Sequence, residues 1–187
     1  MHVNQELHFY FDFCTAESFT LWEPLLNYCD GKPIHLYVYP ICQNLLLNYD
    51  GKRHPGPVGI RRLRVGGRRP ETRLALQVAQ TEISGSLQFV VVEYLLQCCW
   101  CKGLKIDQDV EIVQALDAAG LDGYDLLEKA SRQSAWRHVV QQTEEARRNG
   151  IQTLPAININ GTVLNGMGAV LNYFPSLIKP KLSLVVD

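Results

Sequence analysis

The first forty residues fix the kind of sheet this chain can build. Leu7-His8-Phe9-Tyr10-Phe11-Asp12-Phe13 is short and aromatic-rich, the signature of a strand. It runs into the small polar cluster Cys14-Thr15-Ala16-Glu17-Ser18. Phe19, Leu21, Trp22, Leu25, Leu26 and Tyr28 then recur at helical spacing until Asp30-Gly31 ends the run. A second strand follows, Ile34-His35-Leu36-Tyr37-Val38-Tyr39, bracketed by Pro33 and Pro40. Strand, helix and strand make a βαβ unit. Two strands joined by a helical crossover are expected to lie parallel, because a tight turn can join only antiparallel ones.

Beyond that unit the pattern changes. Residues 50–70 are rich in Gly, Pro and Arg and read as a loop. Helical patterns follow over 71–80, 87–102 and 109–119, the last entered through an acidic cap at Asp107 and left at Gly120. A longer one over 123–148 breaks near 131–134. Glu144 and Arg148 stand at i,i+4 on its exposed face, and Asn149-Gly150 closes it. The last quarter returns to β structure. Ala156-Ile157-Asn158-Ile159-Asn160-Gly161-Thr162-Val163-Leu164 alternates about a central Asn-Gly, a strong hairpin signal. A closing helix is expected over 169–178, broken at Pro175. The order is βαβ, then helices, then ββα, which predicts an α/β layer with one mixed sheet. Residues 1–40 and 150–187 would form that layer, and 41–149 an inserted all-helical domain.

Composition narrows the function classes. The chain has 187 residues, the size of one domain or of one domain with a large insertion. Its 18 basic and 19 acidic residues nearly cancel, so no global charge favours nucleic acid or an anionic membrane. No apolar run reaches the roughly 18 residues of a membrane span, and the N-terminus lacks a basic n-region. The expected compartment is the cytosol. Six cysteines stand at 14, 29, 42, 98, 99 and 101. Cys98-Cys99-Trp100-Cys101 looks metal-like, but it ends the apolar run that begins at Phe89, and no second cysteine knuckle follows. Core packing is the reading taken, with no metal expected and the thiols reduced.

Three pieces could carry chemistry. The first is the strand-to-helix turn at Cys14–Ser18. A helix N-terminus stabilises an anion, and a hydroxyl from Thr15 or Ser18 placed there could donate to a bound thiolate. Thr15 as a plain helix cap is the competing reading. The second is Leu154-Pro155, a proline opening a strand. If cis, it leaves the main chain of Leu154 to pair with an extended ligand; if trans, it merely starts a strand. The third is Gly166-Met167-Gly168, whose amides could hold a carboxylate or simply begin a helix. Cys14 is expected at or near the core, with a reactive thiol as the alternative. The basic run 61–69 is either a solvated loop or a cap that draws an anionic substrate to the cleft.

Taken together, FYFDF-CTAESF, QDVEIVQALDAAGLD and TEEARRNGIQTLPAININGTVLNGMG resemble the DsbA-like thioredoxin-fold superfamily. Within it they are most similar to the branch of kappa-class glutathione transferases and 2-hydroxychromene-2-carboxylate isomerases. The resemblance spans nearly the whole chain and implies a thioredoxin fold with an inserted helical domain that overhangs the cleft. Redox members carry C-P-x-C at this turn, and those cysteines fall on Thr15 and Ser18. The transferase and isomerase branch carries S-P-x-S, whose first serine serves the glutathione thiol; Thr15 takes its place and Ser18 matches the second. Pro155 matches the family's cis proline, and Leu154 the residue whose main chain meets the cysteinyl group. Ala16 departs from the proline, and Met167-Gly168 from the side-chain pair that grips the glutamyl end of glutathione.

The resemblance implies a glutathione-dependent transferase or isomerase. Glutathione would be the co-substrate, an electrophile the second substrate, and a homodimer the assembly. The chemistry would be thiolate attack, or addition followed by elimination. A DsbA-type thiol–disulfide oxidoreductase with a degenerate site, relying on Cys14, is one alternative. A non-catalytic thioredoxin-fold binding module is the other.

Overall fold

The computed structural model describes residues 5–47, 71–81 and 85–178. β1 (Gln5–Phe11) and β2 (Ile34–Pro40) lie parallel, with Gln5 opposite Ile34 and Phe11 opposite Pro40. The crossover between them is α1 (Ala16–Cys29). Alternation along β1 sends Leu7, Phe9 and Phe11 to one face, where none is accessible and where Leu21, Trp22 and Leu25 of α1 cover them. Each such side chain stabilises the fold by roughly 1.5–3 kcal/mol relative to an exposed one. That burial fixes the register, because a one-residue slip would expose all three.

The far side of β1 pairs antiparallel with β3 (Ala156–Ile159), which pairs antiparallel with β4 (Thr162–Asn165). The sheet order is β2-β1-β3-β4. Asn160 and Gly161 join β3 to β4 with φ of 50° and 82°. Two successive positive values are what a two-residue hairpin turn with the twist of its strands requires, and Asn-Gly supplies them at least cost.

Between β2 and β3 the described chain is helical: α2 (Gln43–Leu47), α3 (Arg73–Ala79), α4 (Gly85–Trp100), α5 (Asp109–Ala118), α6 (Gly123–Ser131) and α7 (Gln133–Arg148). The break expected near 131–134 falls at Arg132, whose extended backbone (φ −66°, ψ 139°) ends α6 and starts α7. The cap of α5 differs from expectation. It is Gln108, not Asp107, and no side chain caps it; the acidic residues Asp109 and Glu111 sit in the first turn, where the helix dipole favours them. α8 (Gly166–Tyr173) begins three residues earlier than expected, directly off β4, and a 3₁₀ turn at Pro175–Ile178 follows the break. The 50–70 loop and its basic run lie outside the described residues.

Sheet and helices share one core. Leu95, Leu96, Ile112 and Leu116 are buried in the same cluster as Phe9, Phe11 and Trp22. A second, smaller cluster covers the opposite face of the sheet, where Tyr10, Leu154 and Ala156 meet Ala146 of α7. Among the described residues no helix is long and apolar enough to cross a membrane.

Candidate functional site

The three sequence pieces meet at one end of the sheet. Tyr10 pairs with Ala156, so the turn that leaves β1 and the Leu154-Pro155 segment that enters β3 emerge together. Gly166, at the start of α8, donates its amide to the Pro155 carbonyl at 2.9 Å, which brings the third piece to the second.

In the turn, Thr15 occupies the N-cap position of α1 but its side chain caps nothing. Its hydroxyl donates to the Asp12 carbonyl at 2.8 Å and is also hydrogen-bonded to the Ser18 hydroxyl. Thr15 has a single hydroxyl proton, which goes to Asp12, so Ser18 is the donor in the second bond. Both side chains are buried, Ser18 completely and Thr15 to 7% exposure. Among the described residues no acceptor is found for the amides of Ala16 and Glu17. The helix therefore presents its partial positive charge at the Thr15 hydroxyl. Two hydroxyls in mutual contact thus stand at the entry to α1. Disulfide exchange through this pair is chemically closed, while hydrogen bonding to a thiolate is open.

Behind the turn lies a residue that the sequence did not single out. Asp12 is 1% exposed; one carboxylate oxygen accepts the Cys14 amide at 3.1 Å and the other the Gln43 amide at 2.8 Å. Burial pushes its pKa up, against the hydrogen bonds of Gln43, Thr72 and Cys14. The available signal was a carboxylate set between the aromatics Phe11 and Phe13, just past the end of β1. Cys14 itself is half-buried, its thiol 3.1 Å from the side-chain oxygen of Gln43. The Phe13 carbonyl accepts the indole N–H of Trp100 at 3.0 Å, so α4 clamps the turn from the helical side.

The Leu154–Pro155 peptide is cis. Leu154 is buried, and its own N–H and C=O have no hydrogen-bond partner among the described residues. The loop before it is held by a second residue the sequence did not reveal. The side-chain oxygen of Asn165 accepts the amides of Gln152 (2.7 Å) and Thr153 (3.3 Å), and its nitrogen donates to the Gly150 carbonyl at 3.0 Å. In the sequence Asn165 looks like an ordinary cap for α8, yet it makes no cap bond. Of the third piece, Met167 packs partly buried against the core and Gly168 is exposed. This segment therefore offers main-chain amides and no polar side chain.

Cys98 and Cys99 are buried in α4 and Cys101 is exposed at its end. Among the described residues no group of His, Cys, Asp and Glu is placed to hold a metal ion.

A βαβ–ββα sheet with a helical segment between its halves, an active-site-type turn opening α1, and a proline at the mouth of β3 define a thioredoxin-fold protein. The sequence model of the DSBA-like thioredoxin domain matches residues 69–172, more than half of the chain, and the chain belongs to that family. No curated protein sequence matches it. Among solved structures it is similar to 2-hydroxychromene-2-carboxylate isomerase, with a TM-score of 0.72 at 13% identity, over 91% of this chain and 92% of that one. It is also similar to the cytosolic disulfide reductase DsbM from Pseudomonas aeruginosa (TM-score 0.61, 13% identity, 84% and 87% covered). DsbA from the same organism matches with a TM-score of 0.58 at 10% identity, over 90% of this chain and 76% of that one. At these identities the likeness is one of fold.

Proposed function

We propose that the protein binds the thiol of glutathione at the α1 turn and uses it as a transferase or isomerase. The observation that carries this reading is the buried Thr15–Ser18 hydroxyl pair at a helix N-terminus that leaves two amides without acceptors among the described residues. On thiolate binding, the Thr15 proton swings from the Asp12 carbonyl to the sulfur, and Ser18 continues to donate to Thr15. A charge-assisted bond of this kind, with the helix dipole behind it, lowers the pKa of the bound thiol and keeps it nucleophilic near neutral pH. The main chain of Leu154, without a partner among the described residues, suits an extended peptide, whose cysteinyl amide and carbonyl would complete its bonding. The glutamyl end would meet only the main-chain amides at Met167 and Gly168, so its contribution to affinity is small. The bound thiolate then attacks an electrophilic carbon; in an isomerisation it adds and is later expelled.

Calorimetric titration of glutathione into wild type and Thr15→Val tests the reading, together with conjugation of a generic aryl halide. Thr15→Val is expected to weaken binding about tenfold, the loss of one charge-assisted bond. Absence of binding at millimolar glutathione sinks the proposal.

The Cys14 thiol, next to the turn and bonded to Gln43, is the one feature that favours the oxidoreductase reading. Reduction of insulin disulfides by wild type that is lost in Cys14→Ser would establish it.

A further inference from the structure

The sheet face turned away from α1 carries a groove of about 210 Å³. Its floor is His8 and Tyr10 of β1, Tyr39 of β2 and Asn158 of β3, and Gln142 and Glu145 of α7 form its wall. Strand alternation separates it from the turn: Phe9 and Phe11 point to α1, His8 and Tyr10 to the groove.

The floor is aromatic. Tyr10 stacks on Tyr39 with ring centroids 4.9 Å apart, and His8 stacks on Tyr39 at 5.6 Å. His8 Nδ1 and the Tyr39 hydroxyl lie 3.1 Å apart. Tyr10 is different. It is only 6% exposed, yet its hydroxyl has no hydrogen-bond partner among the described residues. The hydroxyl is not fully buried (among the described residues the one fully buried unpaired side-chain atom is the indole nitrogen of Trp22), so it is open to water or to a ligand in the groove. Burial, and after it the neighbouring Tyr39 and Glu145, push its pKa up to about 12. The Glu145 carboxylate forms no hydrogen bond or ion pair among the described residues, whereas that of its neighbour Glu144 is 3.8 Å from Arg148. Of the other polar groups that line the groove, Gln142 is engaged with Gln80 and the Asn158 oxygen with the Gly161 amide, and Asn149 adds a further side-chain amide.

The acceptors lining the groove are the Tyr10 oxygen, the Tyr39 oxygen, which also bonds His8, and the Glu145 carboxylate, beside aromatic rings whose faces carry a negative quadrupole. Such a set calls for a positively charged donor with several N–H bonds and an apolar stem. One carboxylate with phenol rings is a poor cage for a metal ion, which needs more charged or imidazole ligands.

We propose that this groove is a binding site for an organic ammonium group, its N–H donors on Tyr10, Tyr39 and Glu145 and its carbon stem on the Tyr39 and His8 rings. The site is independent of the thiol chemistry at the turn. Its source is either a free alkyl amine or a lysine side chain of a peptide, and the two share this chemistry.

The test is NMR titration of the full chain, following the amides of Tyr10, Ala146 and Asn158. The ligands are n-butylammonium, the neutral isostere 1-butanol, and the blocked tripeptide acetyl-Ala-Lys-Ala-amide. Saturable shifts with at least one of the two cations are expected, with butanol silent. Glu145→Gln, on the exposed side of α7, keeps the fold and should weaken binding about fivefold, as should Tyr10→Phe. A preference of about tenfold for one cation assigns the source as free amine or lysine. Silence of both cations up to tens of millimolar, equal shifts with butanol, or unchanged affinity in Glu145→Gln each overturns the proposal.

Discussion

The carboxylate of Asp12 accepts the main-chain amide of Gln43 at 2.8 Å, joining the chain that leaves β1 to the chain that leaves β2. Its second oxygen holds Cys14, and its carbonyl holds the Thr15 hydroxyl. One buried residue therefore organises the turn from three directions. It is a positioning residue, because none of its atoms reaches the surface of the turn.

Burial raises the Asp12 pKa in the folded protein, and this sets the sign of its effect on stability. Between the ordinary carboxylate value of about 4 and the raised one, the folded state holds the proton that the unfolded state has lost. Stability from this group is therefore full at low pH and declines as pH rises through that window. Asp12→Asn removes the titration but also one acceptor, so it costs about 1–3 kcal/mol through an amide left without a partner. Urea midpoints measured from pH 4 to 8 should fall for wild type relative to Asp12→Asn. Parallel curves for the two proteins would rule out the titration of Asp12 as the cause.

Asn165 closes the loop 150–153 with three hydrogen bonds that alanine cannot make. Asn165→Ala leaves the amides of Gln152 and Thr153 to water, at a global cost of about 1–2 kcal/mol because the site is partly solvated. The local effect should be larger: amide exchange at Gln152 and Thr153 should speed up more than at β3 residues such as Ile157. Uniform acceleration across the chain would mean that Asn165 acts only on global stability.

The parts of the fold that were legible in the sequence share a physical cause. β1, α1 and β2 each bury one face, so burial wrote a period of two or of 3.6 into Leu7–Phe11 and Leu21–Leu25. Asn160-Gly161 declared its turn because few other pairs accept two positive φ values. The thioredoxin fold and the absence of a C-P-x-C dithiol followed from the same residues. Asp12 and Asn165 stayed hidden for the opposite reason. Each works through main-chain groups distant in sequence, Gln43 for one and Gly150 to Thr153 for the other, and such partners leave no periodic trace. The entry to α5 was misplaced at Asp107 because an acidic residue favours both a cap and a first turn, and sequence alone does not separate the two. The Tyr10 groove needed the sheet order, which sets Tyr39 beside Tyr10 across parallel strands.

The cysteines of α4 allow a sharper expectation. Burial, then Asp12 and Cys98, push the Cys99 thiol up to about 12, and burial also pushes up that of Cys98. A thiol with a pKa near 12 is ionised in roughly one molecule in ten thousand at pH 8, and the thiolate is the reactive form. Cys101, a few residues on, is exposed. Treatment of the native protein with iodoacetamide, followed by peptide mass spectrometry, should find Cys101 modified first. Cys98 and Cys99 should react only at the rate at which the chain unfolds, so that urea accelerates them and leaves Cys101 nearly unchanged. Native-state modification of Cys99 as fast as that of Cys101 would mean that α4 opens locally beside the Phe13 carbonyl. The turn it clamps through Trp100 would then be mobile as well.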